Sequence, residues 1–303
     1  MLSIAGNILP IFFLILIGFL FKQSGFPGNK IWVPAERLAY YVLLPALIIR
    51  NLTNTDLSTL PTGPMALTIL SLGASMTLII LIIKPILKTD NAAFTSILQG
   101  GTRINAYICF AVADALYGPS SIALCAYFIA IMMPFLNTII VTFMAFCGEA
   151  QKPTLSRVLI EVARNPIILA CGIGWLINTL GIPIPNPIMN LLEILDRATL
   201  PIALLCVGSG LVVERSALFP VSVSVLLKLC CMPAIAYGLS ILFGIYGLPL
   251  SIIILFSGAP TSPASYVLAR QMGGDGPLMA AIISAQTVIA MLTLPIILSL
   301  VFP

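Results

Sequence analysis

The fold is decided by the stretch Gly258-Ala259-Pro260-Thr261-Ser262-Pro263-Ala264-Ser265-Tyr266, which lies at the centre of a long apolar segment. Pro260 and Pro263 cannot both sit in a regular helix without loss of backbone hydrogen bonds. Irregular backbone at the depth of a membrane must be buried in protein or line a cavity. Ser262 before Pro263 suits a helix N-cap followed by the first helical position. We therefore expect a second half-helix that points free N–H groups at the midplane of a membrane.

A second interruption is indicated by Gly100-Gly101-Thr102-Arg103-Ile104-Asn105-Ala106-Tyr107. The Gly pair can unwind a helix, and Asn105 can cap the helix that follows. The tripeptides Asn105-Ala106-Tyr107 and Ala264-Ser265-Tyr266 lie 159 positions apart, close to the repeat interval given below. We therefore expect the two interruptions to cross each other.

The composition of the 303 residues places both stretches in a membrane. Hydrophobic residues make up 60% and charged residues 8%, and the mean hydropathy is +1.13, whereas soluble domains carry roughly 25% charged residues. The chain lacks the long alternating pattern of a membrane β-barrel, so it reads as an all-α polytopic membrane protein. The ten predicted spans are 5–21, 34–51, 65–87, 92–116, 119–147, 166–182, 188–213, 218–244, 248–272 and 277–301.

Several functional classes are disfavoured by the residues present. The sequence contains no His, which removes His-based acid–base chemistry and the common metal sites. The seven Cys lie in or beside apolar runs without a C-x-x-C pair, and we interpret them as packed thiols. No basic domain for nucleic acid and no Gly-Lys-Ser/Thr loop for ATP is present. We expect no enzyme, no metal and no cofactor.

Positive charge predicts the orientation of the spans. Odd-numbered connections and their flanks hold nine basic residues, and even-numbered ones hold only Arg50. The nine are Lys22, Lys30, Lys84, Lys88, Lys152, Arg157, Arg164, Arg215 and Arg270. The odd-numbered connections should therefore face the cytoplasm, and ten spans then place both termini outside.

Two halves related by a fixed interval are visible in the positions of Pro and Gly. Three pairs lie 156 residues apart, namely Pro10 and Pro166, Gly18 and Gly174, and Pro45 and Pro201. We predict a five-helix repeat over 1–147, a cytoplasmic linker over 148–165 and a second repeat over 166–303. Five spans are an odd number, so the second repeat is inverted, which is typical of secondary transporters.

Arg103 is the residue that makes the predicted site specific. A charge near the bilayer centre costs at least about 2.5–3.5 kcal/mol, so it needs a partner. Two half-helix N-termini and a guanidinium together suit a carboxylate. Alternatively, Arg103 pairs with Asp114 or Glu193, or extends to the cytoplasmic surface.

The other candidate residues surround the two interruptions or lie elsewhere in the spans. The predicted substrate contacts, besides Arg103, are Asn105, Tyr107, Asn137, Pro260, Thr261, Ser262, Pro263, Ser265 and Gln286. Helix-to-helix hydrogen bonding explains Asn137 and Gln286 equally well, and Asn105 could be a helix cap alone. Lys228, Asp114 and Asp196 are possible groups for coupling to H⁺ or Na⁺, with snorkelling or structural pairing as the alternative.

Four motifs of the sequence are distinctive: Ala259 to Gln271 followed by Gly273-Gly274-Asp275, Leu200-Pro201-Ile202-Ala203-Leu204 with Gly208 and Gly210, Asn165-Pro166, and Pro134 with Asn137. In these motifs the sequence resembles the auxin efflux carrier family. The resemblance covers the whole chain and is strongest from Asn165 to Leu294. One departure is the run Asn105-Ala106-Tyr107-Ile108-Cys109-Phe110, where many members have Gly and Pro after the Asn.

The resemblance implies the fold of the PIN-FORMED and bile-acid-symporter-like carriers, with two inverted five-helix repeats. Spans 1, 2, 6 and 7 would form a scaffold, and spans 3–5 and 8–10 a transport domain that moves as an elevator. It further implies a homodimer in a bacterial inner membrane, in contact with lipid, that carries small organic anions such as mono- or dicarboxylates. A sodium-coupled symporter with oxygen ligands from Asn105, Thr261 and Ser262 is the first alternative. A passive channel and a membrane-embedded enzyme or receptor are the others.

Overall fold

The computed structural model describes residues 2–55, 60–147, 163–212, 216 and 218–301, and all regular secondary structure in these ranges is helical. The predicted linker lies outside the described residues up to residue 162, as do Lys152, Arg157 and Arg215. The α-helices are α1 (Leu2–Ser24), α2 (Trp32–Leu38), α3 (Leu44–Thr53), α4 (Thr62–Leu87), α5 (Asn91–Thr102), α6 (Ala106–Tyr117), α7 (Ser121–Cys147), α8 (Pro166–Thr179), α9 (Asn186–Ser209), α10 (Leu218–Leu226), α11 (Met232–Leu242), α12 (Gly247–Gly258), α13 (Ala264–Gln271) and α14 (Gly276–Val301).

Six helical segments of the described chain are long and apolar enough to cross a membrane. They are Ile4–Ser24, Trp32–Thr53, Thr62–Leu87, Ser121–Met144, Leu218–Leu242 and Gly276–Val301. Pro166–Thr179 and Gly247–Gly258 are shorter apolar helices. The chain therefore has the character of a polytopic membrane protein.

Two of these segments contain a π-helical turn. Ala39–Leu43 joins α2 to α3, and Leu227–Cys231 joins α10 to α11, so each segment remains continuous. π turns inside α-helices occur frequently at functional sites. The first contributes to the cavity described below, and the second carries Lys228.

One group of helices consists of α1, α2, α3, α8 and α9. Within it α1 packs along α9, and α3 packs along α8 and α9. Glycines permit the close approach, because a Cβ at Gly18 would overlap the backbone of Leu205, and a Cβ at Gly208 would overlap the backbone of Ile15. At Gly174 a Cβ would press against Leu52. Small residues at such contacts are typical of membrane helix packing.

Polar contacts join α9 to the segment of α2 and α3. The hydroxyl of Thr199 donates to the carbonyl oxygen of Leu43 at 2.9 Å. Arg50 forms an ion pair with Asp196 at 2.6 Å between nitrogen and oxygen. Because both ionic side chains are mostly buried, the pair fixes the relative position of α3 and α9.

The second group consists of α4 to α7 and α10 to α14. Its helices pack on one another through a core of buried side chains, including Phe94, Phe110, Phe128 and Phe256. The rings of Phe128 and Phe256 lie with their centroids 4.4 Å apart and connect α7 to α12. This group contains both interrupted segments.

Candidate functional site

The first interruption lies between α5 and α6, where the sequence predicts it. The helix ends at Thr102, and the next helix begins at Ala106 after an extended connection. Asn105 is the N-cap, and its side-chain oxygen accepts from the backbone N–H of Ile108 at 3.4 Å. The predicted capping role of Asn105 is confirmed.

The second interruption separates α12 from α13. α12 ends at Gly258, and α13 begins at Ala264, one residue later than predicted. Pro263 occupies the N-cap position instead of Ser262, whose hydroxyl accepts from the N–H of Ala264 at 3.3 Å. The predicted capping bond of Ser262 is therefore present, and Pro263 already has helical dihedral angles, although the regular helix is assigned from Ala264, one residue later than predicted.

The two interruptions are bonded directly to each other. The backbone N–H of Asn105 donates to the carbonyl oxygen of Pro260 at 2.8 Å. The hydroxyl of Thr261 donates to the carbonyl oxygen of Gly100 at 2.7 Å. Each irregular segment thus satisfies backbone groups that the other leaves free, as irregular backbone inside a membrane protein requires.

Gln286 of α14 completes this junction and is fully buried. Its side-chain oxygen accepts from the N–H of Thr261 at 2.9 Å. Its nitrogen donates to the carbonyl oxygen of Gly100 at 2.9 Å and contacts Ser224 of α10 at 3.2 Å. Gln286 and Thr261 therefore hold the interruptions together and do not line the cavity as the sequence reading suggested.

A cavity of about 440 Å³ lies beside the junction. Its walls come from α2 and the following π turn, from the two interruptions, and from the middle of α7. Most of the surface is apolar, including Phe128, Met132, Leu136 and Phe256. The polar side chains on the walls are Glu36, Arg37, Tyr40, Tyr41, Arg103, Tyr107, Asn137 and Ser262.

Arg103 reaches the cavity wall and bonds to a neighbour on α7. Its guanidinium donates to the side-chain oxygen of Asn137. Neither acid considered from the sequence is its partner, because Glu193 pairs with Arg50 and Arg197 and Asp114 lies exposed on α6. Within the described ranges no carboxylate forms an ion pair with Arg103. The guanidinium thus retains donors that a bound anion could take.

Three predicted site residues carry buried polar atoms without a hydrogen-bond partner in the described part of the chain. They are the amide nitrogen of Asn105, the hydroxyl of Tyr107 and the hydroxyl of Ser265. Tyr107 lines the cavity, whereas Asn105 and Ser265 are buried next to it at the start of α6 and α13. Buried polar groups of this kind are normally satisfied, and of the three only the hydroxyl of Tyr107 belongs to a residue on the cavity wall, where a polar ligand could accept from it.

None of the three possible coupling residues lines the cavity. Lys228 is fully buried in the second π turn, where its ammonium nitrogen lies 3.4 Å from the carbonyl oxygen of Phe256 and 3.1 Å from the sulfur of Met232. It does not extend to the membrane surface, so the snorkelling alternative was wrong. Asp196 is held by Arg50, and Asp114 is exposed.

The part of the wall that comes from α2 and the π turn after it was not predicted from the sequence. Glu36, Arg37, Tyr40 and Tyr41 all face the cavity. The available signal was a charged pair one turn inside the span predicted at 34–51, followed by two adjacent tyrosines. Charges inside a span mark functional positions, but the sequence does not show that this span faces Arg103.

Known proteins match this chain over nearly its whole length. A family model named "Membrane transport protein" matches residues 3–298. A protein of Rhizobium meliloti (strain 1021) named "Putative malonate transporter" is 26% identical over 289 residues, which span 90% of this chain and 88% of that protein. The matched residues of the family model include both interruptions and every residue of the cavity wall.

Proposed function

The chain belongs to the membrane transport protein family, the auxin efflux carrier family, and from this premise we propose that it is a secondary carrier of small organic anions. The family name and the six membrane-length helices make it a multi-pass membrane transporter and not an enzyme. The substrate class we propose is mono- or dicarboxylates. The similarity to a protein named for malonate is in keeping with that class.

The observation that carries the proposal is the position of Arg103. Its guanidinium lies on a cavity wall beside the junction of two interrupted helices, and Asn137 holds it there. The start of α6 adds partial positive charge to that wall, and the hydroxyl of Tyr107 adds one hydrogen-bond donor. A carboxylate matches a guanidinium with free donors better than a neutral or cationic solute does.

An inverted repeat of two five-helix halves, over 1–147 and 166–303, is part of the proposal. Thr199 and Leu43, which hydrogen-bond to each other, are separated by 156 positions, the interval found in the sequence. Gly18 packs against Leu205. The residue 156 positions after Gly18 is Gly174, and the residue 156 positions before Leu205 is Ile49. These two residues also pack together. Such reciprocal contacts are what a two-fold relation between the halves would produce.

We further propose that transport proceeds by alternating access of the elevator type through ten spans. The cavity lies between α2 of the first helix group and α7 of the second, so movement of one group past the other would carry a bound anion. The first group would be the scaffold and the second the transport domain. A homodimer in a bacterial inner membrane, with both termini outside, completes this proposal.

The test measures the transport current that substrate addition produces in proteoliposomes of the purified protein on a solid-supported membrane. Malonate, malate, succinate, pyruvate and an indole carboxylate are added in turn, with and without sodium and a pH step. We expect a saturable current for at least one carboxylate, abolished in Arg103→Ala and retained in Arg197→Ala, whose side chain is exposed on α9. Absence of current for every anion in the folded wild type would overturn the carboxylate proposal, and the sodium arm distinguishes a sodium-coupled symporter.

A further inference from the structure

Lys228 is a fully buried lysine that the proposed anion site does not use. It lies in the π turn between α10 and α11, inside the second helix group. Its ammonium nitrogen lies 3.4 Å from the carbonyl oxygen of Phe256 and 3.1 Å from the sulfur of Met232. The ion pairs found in the described part of the chain do not include Lys228. A charge held inside a span is costly and marks a functional position.

The carbonyl oxygen of Phe256 has lost its helical donor. In a regular helix it would accept from the N–H four residues later, but that residue is Pro260, which has no N–H. The next carbonyl oxygen, that of Ser257, also loses its usual donor, because the N–H of Thr261 bonds to Gln286 instead. The end of α12 therefore presents carbonyl oxygens without helical donors, together with the negative end of the helix dipole, inside the protein.

The corresponding end of α5 is satisfied by neutral groups. The carbonyl oxygen of Gly100 accepts from the hydroxyl of Thr261 at 2.7 Å and from the side-chain nitrogen of Gln286 at 2.9 Å. At the end of α12 the donor to the carbonyl oxygen of Phe256 is instead an ammonium group. The two interrupted helices thus differ in the charge of the group that holds their first halves.

We propose that the ammonium group of Lys228 is a resident cation, which holds the end of α12 as a bound sodium ion would, so that transport proceeds without sodium. This inference rests on the proposed anion-carrier function. In transporters with interrupted helices, the C-terminal ends of half-helices and unwound carbonyl oxygens coordinate the coupling cation. A sodium ion at the carbonyl oxygen of Phe256 would lie against the ammonium group, and two cations in contact repel strongly in the low dielectric of a protein interior.

One residue links the resident cation to the cavity wall. The ring of Phe256 lines the cavity and packs on the ring of Phe128, while the carbonyl oxygen of the same residue contacts Lys228. All three residues belong to the second helix group, the proposed transport domain, so the charge stays with the site in every step of the cycle. A bound sodium ion would enter and leave on opposite sides of the membrane, whereas a tethered ammonium group is never released.

The first part of the test compares sodium with a bulky cation in the wild type. Malonate currents of proteoliposomes are recorded in sodium chloride and in N-methyl-D-glucamine chloride at equal pH and ionic strength. The thermal unfolding midpoint of the purified full chain in detergent is recorded in the same two salts, because an ion that binds the folded state raises it. We expect equal currents and equal midpoints. A current that needs sodium, or a midpoint that sodium raises, would overturn the inference.

The second part removes the tethered charge and offers a free one. In Lys228→Ala we expect the maximal malonate current to fall at least about fivefold. Propylammonium restores the atoms that this substitution removes and should recover most of the current, whereas 1-propanol fills the same space without charge and should recover little. Lys84→Ala is the matched control, because that lysine bonds to the side-chain oxygen of Asn91 at the end of α4; it should keep its current in every solution.

Each remaining result bears on one of the two proposals. Equal recovery with 1-propanol, or no recovery with propylammonium in a folded Lys228→Ala, would overturn the resident cation. If Lys228→Ala cannot be purified, the sodium comparison in the wild type still decides. Absence of a malonate current from the folded wild type in both salts would count against the proposed function instead, and the unfolding midpoints then test the resident cation without transport.

Discussion

The backbone N–H of Asn105 donates a hydrogen bond to the carbonyl oxygen of Pro260 at 2.8 Å, and this bond joins two helices that are both interrupted inside the protein. The two residues are far apart in the chain, yet each lies in the segment where its own helix has lost backbone bonding. Their contact removes an unsatisfied donor and an unsatisfied acceptor at once. The junction also fixes the start of α6, the helix that follows Arg103.

Substitution of Thr261 by Val tests this junction. The hydroxyl bond to the carbonyl oxygen of Gly100 is lost in a fully buried position, while the volume of the side chain is kept. We expect the free energy of unfolding to fall by about 1–3 kcal/mol and transport to fall with it. The thermal unfolding midpoint in detergent measures the change. Thr179→Val is the control, because that exposed hydroxyl bonds only within its own helix; equal midpoints for the two variants would contradict the assigned role.

A methyl group at Gly208 tests the contact between α1 and α9. The added Cβ would overlap the carbonyl oxygen of Ile15, and rigid backbone atoms cannot move aside. We expect Gly208→Ala to destabilise the protein by about 1–3 kcal/mol or more. Gly172→Ala, on α8, meets nothing within 4 Å and should leave the unfolding midpoint unchanged or slightly raised. The prediction fails if Gly208→Ala melts like the wild type.

Replacement of Asn137 by Leu tests how Arg103 is positioned. The side chain keeps its size but no longer accepts from the guanidinium. Loss of a hydrogen bond to a charged group is worth about 1.5–3 kcal/mol, so we expect at least a tenfold rise in the KM of the transport current. Thr138→Val, one residue further along and bonded only to its own helix, should leave the KM unchanged. An equal rise in KM for both variants would contradict the positioning role of Asn137, because the effect would then come from any change in α7.

Lys228→Met separates a role in movement from a role in binding. The ammonium group contacts the carbonyl oxygen of Phe256 near the end of α12, where helix carbonyls lack partners. Because Lys228 does not line the cavity, we expect the maximal current to fall at least about fivefold, from roughly 1 kcal/mol of lost coupling, with little change in KM. Replacing a buried charge by an apolar group of similar size is often neutral for stability. A changed KM with an unchanged maximal current would contradict this prediction.

Much of the fold was predictable because its signals are local. Pro260 and Pro263 interrupt a helix wherever they occur, and Asn105 caps the helix that follows it, so both breaks could be placed within a residue or two. The apolar composition indicated a membrane protein, and the motif around Pro260 indicated the family. Gly18 and Gly208 could be noted as small residues, but their partners Leu205 and Ile15 could not be chosen from the sequence.

The candidate site likewise has features that the sequence predicts and features that only the structure shows. The sequence by itself predicted that Arg103 lies inside a membrane span and needs a partner, because an isolated charge near the centre of a membrane is costly. Only the tertiary structure decided that this partner is Asn137, that Gln286 and Thr261 hold the junction, and that Glu36 faces the same cavity. These relations depend on the packing of helices distant in the chain, which is set by the fit of whole surfaces and leaves no local pattern in the residues that meet.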